Sequence, residues 1–413
     1  MIYKNLTTNE GLLLLHDSNN IFLTGPPGSG KTWLTNQYIN YCKRNMIKIA
    51  ITASTGIASK LLNGTTVHAW SGINIINEKD SFEDILYRVK SKPKKVSAWR
   101  KVQVLIIDEI SLLDLKTFSF LDMIGQNIRK NTNPFGGIKL LIVGDFFQLP
   151  PVNGTYVFNY QKWEEMFDYG INLIENHRSN DIKLNKILKT IRKGKLLTDS
   201  MIKRLEKRVS KKETYPILVP LRSMARKINN DKLGSNNKTE YKYKASYYYN
   251  EDKDYLKDLI QKQSPLEDEL VLKIGCPVIN LVNDHSRRLM NGQVGVIIDF
   301  INERPIVEFN NIPYIMDKHM WQKELNSDSD SIVSMEQYPL LLCYALTIHR
   351  SQGQTLSQAS MVLDNNVWEK GQGYVALSRL QSLEGLHLLK FNPNIFKVDK
   401  TVKKYYKNWK EKK

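Results

Sequence analysis

Gly25-Pro26-Pro27-Gly28-Ser29-Gly30-Lys31-Thr32 spaces its glycines so that four residues separate the first from the one preceding Lys-Thr. Without Cβ atoms, successive backbone N–H groups can turn inward into an anion-binding concavity. Lys31 adds a point charge for β- and γ-phosphates, and the Thr32 hydroxyl can ligate Mg²⁺. All eight residues are therefore candidate nucleotide ligands. Further on, the apolar run Val104-Leu105-Ile106-Ile107 ends in Asp108-Glu109. Two carboxylates there are costly unless they meet a cation or water. A metal-bound triphosphate explains both, with Asp108 on Mg²⁺ and Glu109 orienting and deprotonating the attacking water. A third run ends in Gly144-Asp145-Phe146-Phe147-Gln148, where Gln148 can hydrogen-bond a γ-phosphate. Phe146 and Phe147 beside it can serve as core or as base-stacking surface, core being the commoner use.

These residues need a parallel sheet to aim them. Ile21 to Thr24 reads as a buried strand, and Trp33, Leu34, Tyr38 and Cys42 recur at helical spacing behind the loop. That order points a helix N-terminus at a phosphate. A second strand ends at Thr52 to Gly56, and Thr65 to Trp70 follows a turn at Asn63-Gly64. Thr52, Thr55 and His68 are candidates to touch a second ligand at the sheet's carboxyl edge, with helix capping as an equal alternative. Residues 74–101 are lysine-rich and weakly periodic, and read as a small surface insertion outside the sheet. A further strand covers Ile138 to Val143.

The strand-and-helix pattern restarts near Ile171, which sets two domains, 1–169 and 170–413. Residues 201–212 read as a basic helix with a solvated face. Tyr241, Tyr243, Tyr247, Tyr248, Tyr249 and Tyr255 interleave with lysines; an edge strand is preferred there over a single-strand-binding surface. Val271 to Val282 and Val294 to Phe309, with turns at Asn291-Gly292 and Glu303-Arg304-Pro305, form a β-rich insert over about 265–333. A polar linker follows at 326–334, then one buried strand from Leu340 to Leu346. Residues 403–413 read as a frayed basic helix end.

Composition narrows the partners. At 413 residues the chain has room for two or three cores. Sixty Lys/Arg against 42 Asp/Glu give a net charge of +18, which favours polyanions, nucleic acid before membrane. The three cysteines lie far apart, outside any metal or disulfide spacing, and make a reducing intracellular compartment the default. No His pair suggests a metal site, and no apolar run has membrane length.

Several blocks now occur in a fixed order: the phosphate loop, Thr55-Gly56-Ile57-Ala58, Thr66-Val67-His68, Ile107-Asp108-Glu109-Ile110-Ser111, Pro134-Phe135-Gly136-Gly137, Gly144 to Pro151, Leu346 to Thr355 and Tyr374 to Arg379. Together they closely resemble the petite-integration-frequency (PIF-type) DNA helicases, a 5′-to-3′ branch of superfamily one. The likeness runs from about Phe22 to Leu389, and Pro134 to Pro151 is specific to that branch. It implies an α/β fold with two RecA-like lobes, ATP with Mg²⁺ in the cleft and single-stranded DNA across the top.

By position, the resemblance gives Lys31 and Thr32 to phosphate and metal, Asp108 and Glu109 to metal and water, and Gln148 to the γ-phosphate. Arg178 and Arg379 match arginine fingers of the second lobe. Thr55, His68, His349, Ser351 and Gln352 match DNA-holding positions, to which Thr52, Trp70 and Phe147 are added. Gln352, Gly353 and Gly373 join the nucleotide set. Residues 74–101 correspond to a duplex-splitting wedge, and the β-rich insert to an SH3-like module. Two departures stand out: Glu10 occupies the nearest equivalent of the family's adenine-reading Gln, and His177-Arg178-Ser179 replaces the usual Phe-Arg-Gln.

The implied activity is ATP-driven 5′-to-3′ unwinding by a monomer, on single strands and on duplexes with 5′ tails. G-quadruplexes and RNA–DNA hybrids are open as further substrates. Relatives act in replication, recombination, repair and telomere or organelle genome upkeep. Long partner-binding terminal arms are not expected. The alternatives are a translocase that does not unwind and a scaffold that does not hydrolyse ATP. The presence of Lys31, Glu109, Arg178 and Arg379 speaks against the scaffold.

Overall fold

The computed structural model describes residues 1–413 apart from 19, 75, 77, 78, 153, 250–267, 283, 285, 287, 288, 290, 291, 325–331, 412 and 413. Tyr255, Asn291 and most of the expected 326–334 linker lie outside the described residues.

The first lobe is built on β1 (Ile2–Leu6), β2 (Ile21–Thr24), β3 (Ile49–Ala53), β4 (Thr65–Thr66), β5 (Val104–Asp108), β6 (Lys139–Val143) and β7 (Tyr169–Leu173). They form one sheet in the order β1-β7-β2-β6-β5-β3-β4, and every ladder is parallel. The central strands are apolar on both faces because helices cover both. The helices are α1 (Thr8–Asp17), α2 (Lys31–Arg44), α3 (Gly56–Leu61), α4 (Val67–Ser71), α5 (Phe82–Lys90), α6 (Pro93–Lys101) and α7 (Leu115–Arg129). α2 turns Leu34, Tyr38, Ile39 and Cys42 onto the sheet.

Three expectations are corrected in this lobe. β7 pairs with both β1 and β2, so the chain leaves the first lobe after Leu173, not at 169. Its hydrophobic run resembled the start of a new sheet because a parallel sheet's inserted strand carries no sequence mark of its neighbours. Residues 74–101 are also more than a surface appendage. α5 opens on a Ser81–Asp84 capping box and α6 on Pro93, and Ile85, Val89 and Trp99 are fully buried in the lobe's core. The third concerns the helix Lys400–Glu411: it does not fray among its described residues but buries Val402, Tyr405 and Trp409. Trp409 stacks on Tyr3 and sits edge-on to Phe22, joining the first lobe's aromatic core.

The Pro134 to Gly137 turn has a packing reason. A Cβ on Gly125 of α7 would lie 2.6 Å from the Phe135 carbonyl oxygen, and one on Gly136 would lie 2.4 Å from that of Gly125. The turn thus presses backbone to backbone against α7, fastened by the Phe135 N–H donating to Asp122 Oδ1 at 2.6 Å.

After β7 come α8 (Ile182–Arg192), α9 (Asp199–Glu206), β8 (Ile217–Val219) and α10 (Arg222–Gly234). Then β9 (Tyr241–Lys244), β10 (Ser246–Tyr249), β11 (Glu269–Leu272), β12 (Pro277–Asn280), β13 (Val294–Ile301), β14 (Arg304–Phe309), β15 (Ile312–Ile315), β16 (His319–Glu324), β17 (Ile332–Gln337) and β18 (Leu340–Leu342) form antiparallel sheets. The β-rich region is therefore wider than 265–333, because β9 pairs with β11 and β10 with β17. The β13–β14 turn is Asn302-Glu303, both left-handed, one step earlier than expected.

β19 (Ala345–Thr347), β20 (Ala359–Leu363) and β21 (Leu386–Phe391) return to a parallel sheet, ordered β19-β8-β20-β21. Leu340 to Leu346 is thus two strands in two sheets, β18 in the antiparallel one and β19 in the parallel one. A short helix, Gln372–Leu377, completes this second lobe.

Candidate functional site

The glycine loop joins β2 to α2. Gly28 and Gly30 have φ of +80° and +88°, conformations that side chains resist. A Cβ at Gly28 would also meet Arg178 Cβ at 2.5 Å, so a side chain there would collide with the far side of the cleft. Ser29 Oγ is buried without a hydrogen-bond partner, and Lys31 Nζ donates to the Gly25 and Pro26 carbonyls at 2.7 and 3.0 Å. An orphan hydroxyl and an ammonium folded onto its own loop fit a cradle made for phosphate oxygens. Burial pushes Lys31 down to about 8, against the opposing pull of Asp145 and Glu109. A phosphate beside Lys31 would favour its charged form further.

Asp108 ends β5 and Glu109 follows it at φ +52°, rare for a residue with a Cβ. Ser54 holds that turn, donating from its hydroxyl to the Glu109 carbonyl at 2.6 Å. Burial raises both carboxyls above their ordinary range, Asp108 further through Glu109 beside it. Such a pair is charged cheaply only beside a cation. With Thr32 exposed at the start of α2, the residues present suit Mg²⁺. Gln148 is buried at the mouth of β6, its N–H donating to the Asp145 carbonyl at 2.9 Å.

Second-lobe groups meet this set across the cleft. Gln352 Nε2 donates to Glu109 Oε2 at 3.0 Å. Arg379 is 1% exposed, and burial lowers it to about 9; Arg178 beside it pushes the same way and Glu109 opposes. Arg178 donates to the Ser378 carbonyl at 2.8 Å, and it too is influenced by Glu109. Gly353 approaches Leu61 of α3, and a Cβ at Gly371 would meet the Gln148 carbonyl oxygen at 2.4 Å. Gly373 instead packs on Ile395 and Phe396, away from the loop, so its glycine answers helix packing.

The segment Glu175 to Arg178 clasps the phosphate loop from the second side. The His177 N–H donates to the Gly28 carbonyl at 2.7 Å, and Thr8 donates from N and Oγ1 to Glu175 at 2.7 and 2.6 Å. Glu10 is engaged elsewhere, closing a capping box with Thr7 at the start of α1.

The DNA candidates divide. Thr55, His68, Trp70, His349 and Gln352 keep partial exposure or lie at the interlobe surface. Thr55 also caps α3, accepting from Ala58 N–H at 3.2 Å, and Trp70 packs on Trp99. Thr52 is corrected: it lies inside β3, fully buried, with its hydroxyl donating to the Ile106 carbonyl at 2.6 Å. Ser351 is likewise fully buried and donates to the Ile348 carbonyl at 2.8 Å. Phe147 is corrected too: it is buried, stacked on Tyr406 at 4.6 Å with the Arg192 guanidinium 4.8 Å from its centre, so it is part of the packing and not an open base-stacking surface. Trp368, which the motifs did not single out, is 61% exposed, its ring nearly parallel to that of His349 at 6.4 Å. Its nearness to His349 comes from the fold, so the sequence carried no signal for it.

Two parallel-sheet lobes that meet over a phosphate loop define a RecA-like ATPase. The PIF1-like helicase family profile matches residues 8–198. The ATP-dependent DNA helicase Pif1 of Bdellovibrio bacteriovorus is 35% identical over 97% of this chain and 91% of its own. The Candida albicans Pif1 helicase structure superposes with a TM-score of 0.84, at 29% identity over 99% of this chain and 100% of that one. A Bacteroides Pif1 helicase in complex with ADP-AlF3 and single-stranded DNA gives 0.70, at 25% identity over 100% and 98%. The chain belongs to the PIF1-like helicase family.

Proposed function

We propose that this chain is an ATP-dependent DNA helicase that moves 5′ to 3′ on single-stranded DNA and splits duplex ahead of it. One observation carries the reading: Gln352 of the second lobe bonds Glu109 of the first at 3.0 Å, with Arg178 and Arg379 acting on that same carboxylate. The groups that would hydrolyse ATP are divided between two bodies, so turnover depends on how those bodies stand.

ATP is the substrate. The backbone of residues 25–30 and Lys31 hold its phosphates, with Gln148 at the terminal one. Thr32 and Asp108 would hold Mg²⁺, which would supply positive charge to the phosphates when bound. Glu109 accepts the proton of the attacking water, and its raised affinity for protons suits that task. Arg178 and Arg379 deliver positive charge from the second lobe as negative charge shifts toward the leaving phosphate. Release of the product removes what draws the lobes together, and the grip on the strand changes with it.

Thr55, His68, Trp70, His349 and Gln352 form the DNA-facing set, joined by Trp368. Its indole supplies a stacking surface of the kind that binds any base. Trp368→Phe should remove a large part of the fluorescence quenching caused by an oligothymidine, and Trp368→Ala should weaken binding by about tenfold. Unchanged quenching in the Phe variant would take Trp368 out of the strand's path.

The function is tested by strand displacement on matched duplexes bearing a 5′ or a 3′ tail, with Lys31→Ala as control. Product from the 5′-tailed duplex alone is expected. Single-strand-stimulated ATPase without displacement on either duplex would replace the helicase with a translocase.

A further inference from the structure

The helix Lys400–Glu411 follows the second lobe in sequence but packs in the first, and its Tyr406 reaches the nucleotide site from behind. The phenol oxygen lies 2.8 Å from Thr24 Oγ1, the residue immediately before the phosphate loop. The ring behind that oxygen lies against Phe146 and Phe147, the two residues before Gln148. One side chain therefore ties the end of β2, through its hydroxyl, to the segment following β6, through its ring. The Tyr406 ring stacks on Phe147 at 4.6 Å and 15°. Over both rings lies Arg192, at the end of α8, 4.8 Å from the Phe147 centre and 5.7 Å from that of Tyr406.

Arg192 in turn grips Asp145, with Nη2 to Oδ1 at 3.1 Å and Nε to Oδ2 at 3.4 Å. Asp145 is fully buried, and it accepts from the Phe147 N–H at 3.2 Å while its carbonyl accepts from the Gln148 N–H. A buried ion pair is retained at a cost in desolvation, so geometry is its best-attested use. Here the geometry fixed is that of the turn carrying Gln148, anchored to the end of α8.

We propose that Tyr406, backed by Arg192, is a positioning residue for ATP hydrolysis: it holds the phosphate loop and the Gln148 segment at the spacing that a γ-phosphate must bridge. The inference rests on reading Gln148 as a γ-phosphate contact. ADP needs only the loop, whereas ATP needs both segments, so the effect of Tyr406 falls on turnover and spares ADP binding.

Tyr405 supplies the comparison. It lies beside Tyr406 on the same helix, but its hydroxyl accepts from Trp163 Nε1 at 2.9 Å, whereas that of Tyr406 meets Thr24 before the phosphate loop. Tyr406→Phe and Tyr405→Phe each delete one buried hydroxyl and keep the ring, so their melting temperatures should fall alike. DNA-stimulated kcat should drop about fivefold in Tyr406→Phe alone, the scale of one lost hydrogen bond, with ADP affinity unchanged. Combined with Gln148→Ala, Tyr406→Phe should add little further loss, since both act through one contact. Equal kcat in the two Phe variants would overturn the proposal. Full activity in Gln148→Ala beside a slowed Tyr406→Phe would strike the Gln148 reading instead, leaving Tyr406 to act through Thr24 and the phosphate loop.

Discussion

Glu109→Gln should lower DNA-stimulated ATP turnover by about 10³-fold, with ATP and single-stranded DNA still bound, because a positioned general base contributes on that scale. The substitution is nearly isosteric and keeps the hydrogen-bond capacity of the group. It removes the site's ability to accept a proton. Glu109 stands in a left-handed turn held by Ser54, and its Oε2 accepts from Gln352 across the cleft. A Gln oxygen can still accept that bond, so closure should survive while chemistry fails. Rapid-quench turnover and fluorescence titration with a nucleotide analogue separate the two. Turnover within tenfold of the parent would remove Glu109 as the base and pass the role to another carboxylate, of which Asp108 is the adjacent one.

How much of this could be read from the sequence follows a physical division. Groups that must converge on a phosphate are constrained in type and spacing, so Lys31, Asp108, Glu109 and Gln148 stand out before any fold is known. The two lobes were legible for a related reason, since apolar runs ending in polar residues mark parallel strands at their carboxyl edge. What escaped depends on partners distant in the chain. Thr52 looks like a ligand from its neighbours, yet the Ile106 carbonyl of the adjacent strand takes its hydroxyl. Phe147 looks free to stack until Tyr406 and Arg192 close on it from other elements. β7 carries no mark that it inserts between β1 and β2. The last helix was misjudged because its charge run was visible, while the apolar face it presents found its pocket among Phe22, Phe146 and Trp163 of the first lobe.

Arg379→Ala should cost about 10³-fold in DNA-stimulated kcat, at the lower end of what an arginine finger supplies. The side chain is almost wholly enclosed. Its Nε donates to the Val375 carbonyl at 2.9 Å, its Nη2 to Ser378 Oγ at 2.8 Å and its Nη1, at longer range, to the Ser351 and Gln354 carbonyls at 3.4 and 3.5 Å, so Nη1 is the nitrogen most easily given up to an incoming phosphate. Burial and the nearby Arg178 make that charge expensive, and Glu109 only partly offsets the cost. A fold has little reason to keep two arginines so close unless an anion arrives between them. Arg379→Lys should therefore recover little: a lysine keeps the charge but cannot hold the Val375 and Ser378 bonds and still present donors to a phosphate. Both variants should bind ADP as the parent does, since the phosphate loop is untouched, and both should lose the gain in rate that single-stranded DNA confers. Melting temperatures measured alongside show whether the lobe is intact. A folded Arg379→Ala whose DNA-stimulated kcat stays within tenfold of the parent would mean that Arg379 does not act on the transition state. Coupling of cleft closure to chemistry would then rest on Arg178 alone, and loss of the DNA-stimulated gain in Arg178→Ala would be the remaining support for it.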